Sequence, residues 1–172
     1  RSGRRDPQCG DRYAFLDGYL GEAEQPVGAV ARDLATVGAA PANAHRPPVR
    51  DICRAVRAEV GPEVSLCTDH FGEGFVTVDE AIRVGHAIEP FNLAWIEDVM
   101  PWNDIAGHKQ VADALLTPVA AGEDLYLFEG FREAIETRAY DVIHPDMLSS
   151  GGLTETKKIA DHAERHGIHT AL

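Results

Sequence analysis

From Pro48 onward the apolar positions follow two alternating rhythms: short unbroken runs, and longer stretches with apolar residues three or four apart. Unbroken runs of this length suit strands buried on both faces. The three-to-four spacing suits helices with one covered face. Val49, Ile52, Cys53, Val56 and Val60 have the helical spacing, after a proline suited to a first turn and before Gly61 as the stop. Residues 64–68 then read as a strand that ends at Asp69. Thr77-Val78-Asp79-Glu80 is a capping box for a helix carrying Ala81, Ile82, Val84 and Ile88, and Pro90 ends it. Three more units follow: strand 93–97 with helix 104–116, strand 118–122 with helix 127–139, and strand 141–145 with helix 153–166, closed by Gly167. Ile168 opens another strand.

Strands joined through helices run parallel with right-handed crossovers, so the pattern predicts an α/β fold, either a (β/α) barrel or a doubly wound sheet. The pattern divides the chain in two. Residues 49–172 form the repeating portion. Residues 1–48 are poorly patterned: Tyr13–Leu16 reads as an early strand, 29–34 as a short helix, and Pro41, Pro47 and Pro48 as punctuation.

Four of the strands end at carboxylates. Asp69, Glu97, Glu123 and Asp146 are separated by 28, 26 and 23 residues, each about one βα unit. One acidic strand end is commonly a helix cap or a solvated loop residue. Four in succession fall on one rim, where α/β folds place their sites. Clustered carboxylates repel one another, and a hard divalent cation with oxygen ligands removes that cost. Asp69, Glu97 and Glu123, on three consecutive strands, are the expected metal ligands. His70 stands at the rim beside Asp69 and is the candidate for acid–base work. His144 reads as a residue that orients a neighbour or packs, and Asp98 as ambiguous. Trp95 and Trp102 read as packing residues, with Trp102 a candidate pocket wall. Gly151-Gly152 suits either a tight turn or an anion at a helix N-terminus.

Bulk composition narrows the class. Against 16 basic residues stand 28 acidic ones, a net charge of −12, which argues against nucleic-acid and anionic membrane partners. The three cysteines form no CxxC pair and suit a reducing compartment. The basic start Arg1-Ser2-Gly3-Arg4-Arg5 lacks the apolar stretch of a secretory signal, so the expected location is cytoplasmic.

Three motifs together carry a resemblance. Trp95-Ile96-Glu97-Asp98, Ala121-Gly122-Glu123-Asp124, and His144-Pro145-Asp146 followed by Ser149-Ser150-Gly151-Gly152-Leu153-Thr154-Glu155 resemble the enolase superfamily, in its mandelate racemase and acid-sugar dehydratase branch. The resemblance covers about residues 49 to 172. It implies a partial TIM-type (β/α) barrel like the enolase C-terminal domain. It implies Mg2+ held by residues matching Asp69, Glu97 and Glu123, a sugar-acid substrate, and an enediolate formed by loss of the α-proton. Asp146 matches the aspartate that pairs with a histidine at the end of the next strand to make the general base.

The chain also departs from that pattern. The dyad histidine is expected after Leu172, the region Phe15–Tyr19 has no lysine, and Phe71 stands where relatives often have a histidine. Val99 and Met100 separate Glu97-Asp98 from Pro101, and no capping domain is legible. The expected function is therefore a Mg2+-dependent sugar-acid dehydratase, with Asp146 in the base dyad and His70 as the acid for the departing hydroxyl. The alternatives are a racemase or epimerase of a 2-hydroxy acid, or an inactive truncated barrel fragment. Open strand edges favour self-association, so a homo-oligomer is expected.

Overall fold

Val49–Val60, the first helix (α1), forms where the sequence puts its apolar stripe, with Cys53 and Val56 buried. A computed structural model describes residues 13–16, 49–69 and 77–172. The helix expected at 29–34 and the acid–base candidate His70 lie outside the described residues. The strands are β1 (Tyr13–Leu16), β2 (Ser65–Asp69), β3 (Trp95–Glu97), β4 (Val119–Ala121), β5 (Val142–Ile143) and β6 (His169–Thr170). The helices after α1 are α2 (Val78–Ile88), α3 (Ile105–Ala114), α4 (Leu127–Thr137) and α5 (Leu153–Arg165). The expected elements recur, each trimmed by a residue or two where helices fray and strands leave the ladder. Pro90 ends α2 as expected, but it does so within a 3-10 turn over Glu89–Phe91.

All six strands pair in parallel and in chain order, from β1 to β6. This is an arc of a (β/α) barrel, with sequential strands as neighbours and helices outside. Alternation along each strand divides its residues between two environments. Leu66, Ile96 and Val119 face outward into a core shared with α1, α2 and α3. Ala121 and Ile143 face a second outer core with Phe131, Ile135 and Ile159 of α4 and α5. Cys67, Trp95, Ala120 and Val142 point inward and form a separate layer of their own. That layer is the floor under the rim.

Polar contacts fix the connections. Thr77 caps α2, its hydroxyl accepting from the Glu80 amide at 3.2 Å, and Asp104 caps α3 through Gly107 at 2.8 Å. Arg57 ties four carbonyls together. Its guanidinium donates to Phe91 O, Gly61 O, Val64 O and Asn92 O at 2.9, 2.8, 2.6 and 3.1 Å. It thereby joins the end of α1, the approach to β2 and the turn before β3. A lysine cannot span four acceptors with one ammonium. Arg57→Lys is expected to lower stability by about 2–3 kcal/mol, read as a drop in thermal midpoint with unchanged far-UV circular dichroism.

A buried histidine makes a second prediction. His108 of α3 is fully buried, donates from Nδ1 to the Asp104 carbonyl at 3.0 Å, and meets the Tyr140 ring edge-on at 5.0 Å. Burial holds its pKa below the usual value, only partly opposed by the Asp104 carbonyl and carboxylate. A depressed pKa means that the unfolded chain takes up the proton more readily. The stability is complete above the unfolded value, about 6.5, and is lost as pH falls below it. His108→Asn, which keeps a donor and cannot titrate, is expected to flatten the decline of thermal midpoint between about pH 7.5 and 5.5.

Candidate metal centre

The inward face of the strands does not end with the packed floor. Two residues past Cys67, Trp95 and Val142 the same parity brings Asp69, Glu97 and His144 to the C-terminal rim. Asp69 and Glu97 are register partners across the β2–β3 ladder. Glu123 reaches the rim by another route. Ala121 faces outward and Gly122 is the next inward position, so plain alternation would send Glu123 toward the helices. Gly122 has φ +128°, a backbone state that side chains rarely allow, and the turn redirects Glu123 inward. A Cβ there would stand 3.0 Å from the Phe131 ring.

Glu97, Glu123 and His144 each offer a ligand atom, all within 4.8 Å of one another. Among the described residues this is the one such group of three or more. Glu97 is buried, and both its oxygens are engaged. His144 Nδ1 donates to Oε1 at 2.6 Å, and the Trp95 indole donates to Oε2 at 2.9 Å. Asp98 follows in a left-handed backbone state at φ 49°, buried, with its Oδ2 lacking a hydrogen-bond partner among the described residues.

The electrostatics follow from this crowding. Burial, then the charges of Glu97, Glu123, Asp69 and Asp124, push the Asp98 carboxyl up to about 7. Burial, then Asp69 and Glu97, raise Glu123 as well, with His144 opposing. The hydrogen bond to Glu97 raises His144, outweighing the opposing effect of burial. Burial leads the two carboxyl shifts, a hydrogen bond leads that of His144, and neighbouring negative charge adds to all three. The oxygen-rich donors fit a hard divalent cation, whose neighbouring octahedral ligands stand about 3 Å apart.

The other sequence candidates fall as follows. Asp69 is at the end of β2, near enough to raise both Glu123 and Asp98. Asp146 lies beyond β5, exposed, with its Oδ1 accepting from the Leu148 amide at 2.8 Å, and the structure does not bring it into the Glu97 group. Trp102 is largely exposed. Gly151 and Gly152 both have positive φ and make the turn into α5. His144 and Trp95, read from sequence as an orienting or packing histidine and a packing tryptophan, turn out to be the two donors to Glu97. The available signal was parity: His144 is two residues from Val142, and Trp95 two from Glu97.

A family model described as enolase C-terminal domain-like matches residues 29–172. The chain belongs to the enolase C-terminal domain-like family. The L-talarate/galactarate dehydratase of Salmonella typhimurium is 41% identical over 113 residues, 66% of this chain and 28% of that protein. The 3,6-anhydro-alpha-L-galactonate cycloisomerase of Streptomyces coelicolor is 30% identical over 140 residues, 67% of this chain and 39% of that protein. Among solved structures, the L-talarate dehydratase of Polaromonas sp. JS666, complexed with Mg and L-glucarate, aligns at TM-score 0.71 and 29% identity, covering 92% of this chain and 46% of that one. These three relatives of this enolase-family chain are by name two dehydratases and a cycloisomerase, and it spans less than half the length of each.

The family fold turns the Gly122 geometry into a prediction. Gly122→Ala strains a positive φ and presses on Phe131, at a cost of about 1–3 kcal/mol. It is expected to lower the thermal midpoint and to weaken divalent-cation binding by calorimetry, whereas Gly61→Ala, a positive-φ glycine with open space around its Cβ position, should lower the midpoint alone.

Proposed function

We propose that this chain is the metal-binding portion of a Mg2+-dependent sugar-acid dehydratase. The carrying observation is the convergence of Glu97 and Glu123, with Asp69 on the adjoining strand, at one barrel rim where carboxyl pKa values are raised. The activities for which the relatives are named support the reading.

In this proposal Asp69, Glu97 and Glu123 hold the cation. A bound Mg2+ would supply Lewis-acid stabilisation of the charge that develops on a substrate carboxylate when the α-proton leaves. The chain's own residues set the stage. The buried layer of Cys67, Trp95, Ala120 and Val142 lies below the carboxylates and presents them with an apolar surface on that side. Asp146 stands one strand over, where it would orient the base histidine expected beyond Leu172. His70, next to Asp69, is the proposed acid for the departing hydroxyl.

Calorimetric titration with Mg2+ tests the metal half. Saturable binding is expected, weakened at least about 100-fold in Glu97→Gln and Glu123→Gln. Absence of binding, or equal binding in both variants, would sink the proposal. Cycloisomerisation is the second reading, supported by the cycloisomerases among the relatives. Product masses from sugar-acid substrates separate the two, since dehydration removes one water and cycloisomerisation removes none.

A further inference from the structure

At the rim the two oxygens of Glu97 each accept from a side-chain ring nitrogen. The two donors are unlike. His144 lies just past the end of β5 with over a quarter of its side chain exposed to solvent. Trp95 lies inside β3, 5% exposed, packed in the floor with Cys67, Ala120 and Val142. Its indole can only donate and has no second protonation state. Trp95 and Glu97 are two residues apart on one strand face, so the backbone itself sets the 2.9 Å contact.

We infer that Trp95 is a positioning residue. It holds Oε2 of Glu97 throughout and leaves Oε1 as the oxygen that meets a cation, with His144 as the partner that gives way. The inference rests on the reading of Glu97 as a metal ligand. Its physical basis is twofold. A carboxylate without the indole bond can rotate about its last torsion and present either oxygen, so order must be imposed at each binding event. The indole also disperses charge on an oxygen crowded by neighbouring carboxylates, and it does so at every pH. Partners of this kind behind a ligand typically change metal affinity 10- to 100-fold.

The chain has two tryptophans, so Trp102→Phe leaves Trp95 as the sole emitter and serves as the parent protein. In it, Trp95 is replaced by phenylalanine and, separately, by β-(3-benzothienyl)alanine, which keeps the bicyclic ring and puts sulfur in place of N–H. Mg2+ is titrated into each by calorimetry, and into the parent by tryptophan emission and by the indole N–H proton resonance. The benzothienyl protein is expected to keep the parent's thermal midpoint to within a few degrees while its Mg2+ dissociation constant rises about tenfold or more. In the parent the indole resonance is expected to shift on Mg2+ addition while staying protected from exchange, and in Glu97→Gln the shift should vanish.

A benzothienyl protein that binds Mg2+ within twofold of the parent, while Glu97→Gln loses binding, overturns the positioning role and leaves the metal site standing. Equal binding by Glu97→Gln and the parent overturns the metal site and the inference with it. Should the phenylalanine variant fail to fold, the benzothienyl variant decides alone.

Discussion

Repulsion among carboxylates at one point is the constraint on which the structure of the rim depends. Burial first, and then the charges of neighbours that include Asp69, Glu97 and Asp124, raise the carboxyls of Asp98 and Glu123 there, and Glu97 and Asp98 are nearly inaccessible to water. Burying one unpaired carboxylate is costly, and burying several together is more so. The chain offsets the cost with two donors, the indole of Trp95 and the imidazole of His144, both aimed at Glu97. Two donors do not neutralise all of these carboxylates. The oxygen donors left at the rim are of the kind a hard divalent cation takes.

The barrel arc makes such concentration mechanically simple. One parity along each strand fills the floor with Cys67, Trp95, Ala120 and Val142, and continuing that parity by two residues delivers the polar rim. The opposite parity supplies the two outer cores under the helices. Packing and chemistry are thus separated along a strand by about two residues. Gly122 is the exception that completes the set, since Glu123 has the wrong parity and needs a positive φ to turn inward. Backbone strain also appears at Asp98, just after Glu97. These two lie where the site is built, whereas the positive φ of Asn92, Leu127 and Arg138 falls at helix ends.

The relatives extend the picture beyond this chain. They are dehydratases and cycloisomerases acting, by name, on different sugar acids. A shared family fold with differing products is consistent with specificity residing in loops and in parts of those proteins that this chain does not span.

Much of this was legible in the residues themselves. The βα rhythm from Pro48 onward comes from which side chains must be buried, and burial depends only on local period. The strand-end carboxylates Asp69, Glu97 and Glu123 could be found from the same rhythm, because one βα unit has a nearly constant length. The partners of those carboxylates could not. Whether a histidine faces a carboxylate across 47 residues depends on lateral distances between strands, and whether a tryptophan packs or also donates to a carboxylate two residues on depends on the rotamers that the surrounding packing allows. The inward turn at Gly122 was equally hidden, since a glycine is compatible with any backbone state. The sequence by itself therefore determined the architecture and the acidic rim. Only the tertiary structure decided how the carboxylates are held, because hydrogen-bond geometry is set by side-chain packing and by strands that are distant along the chain.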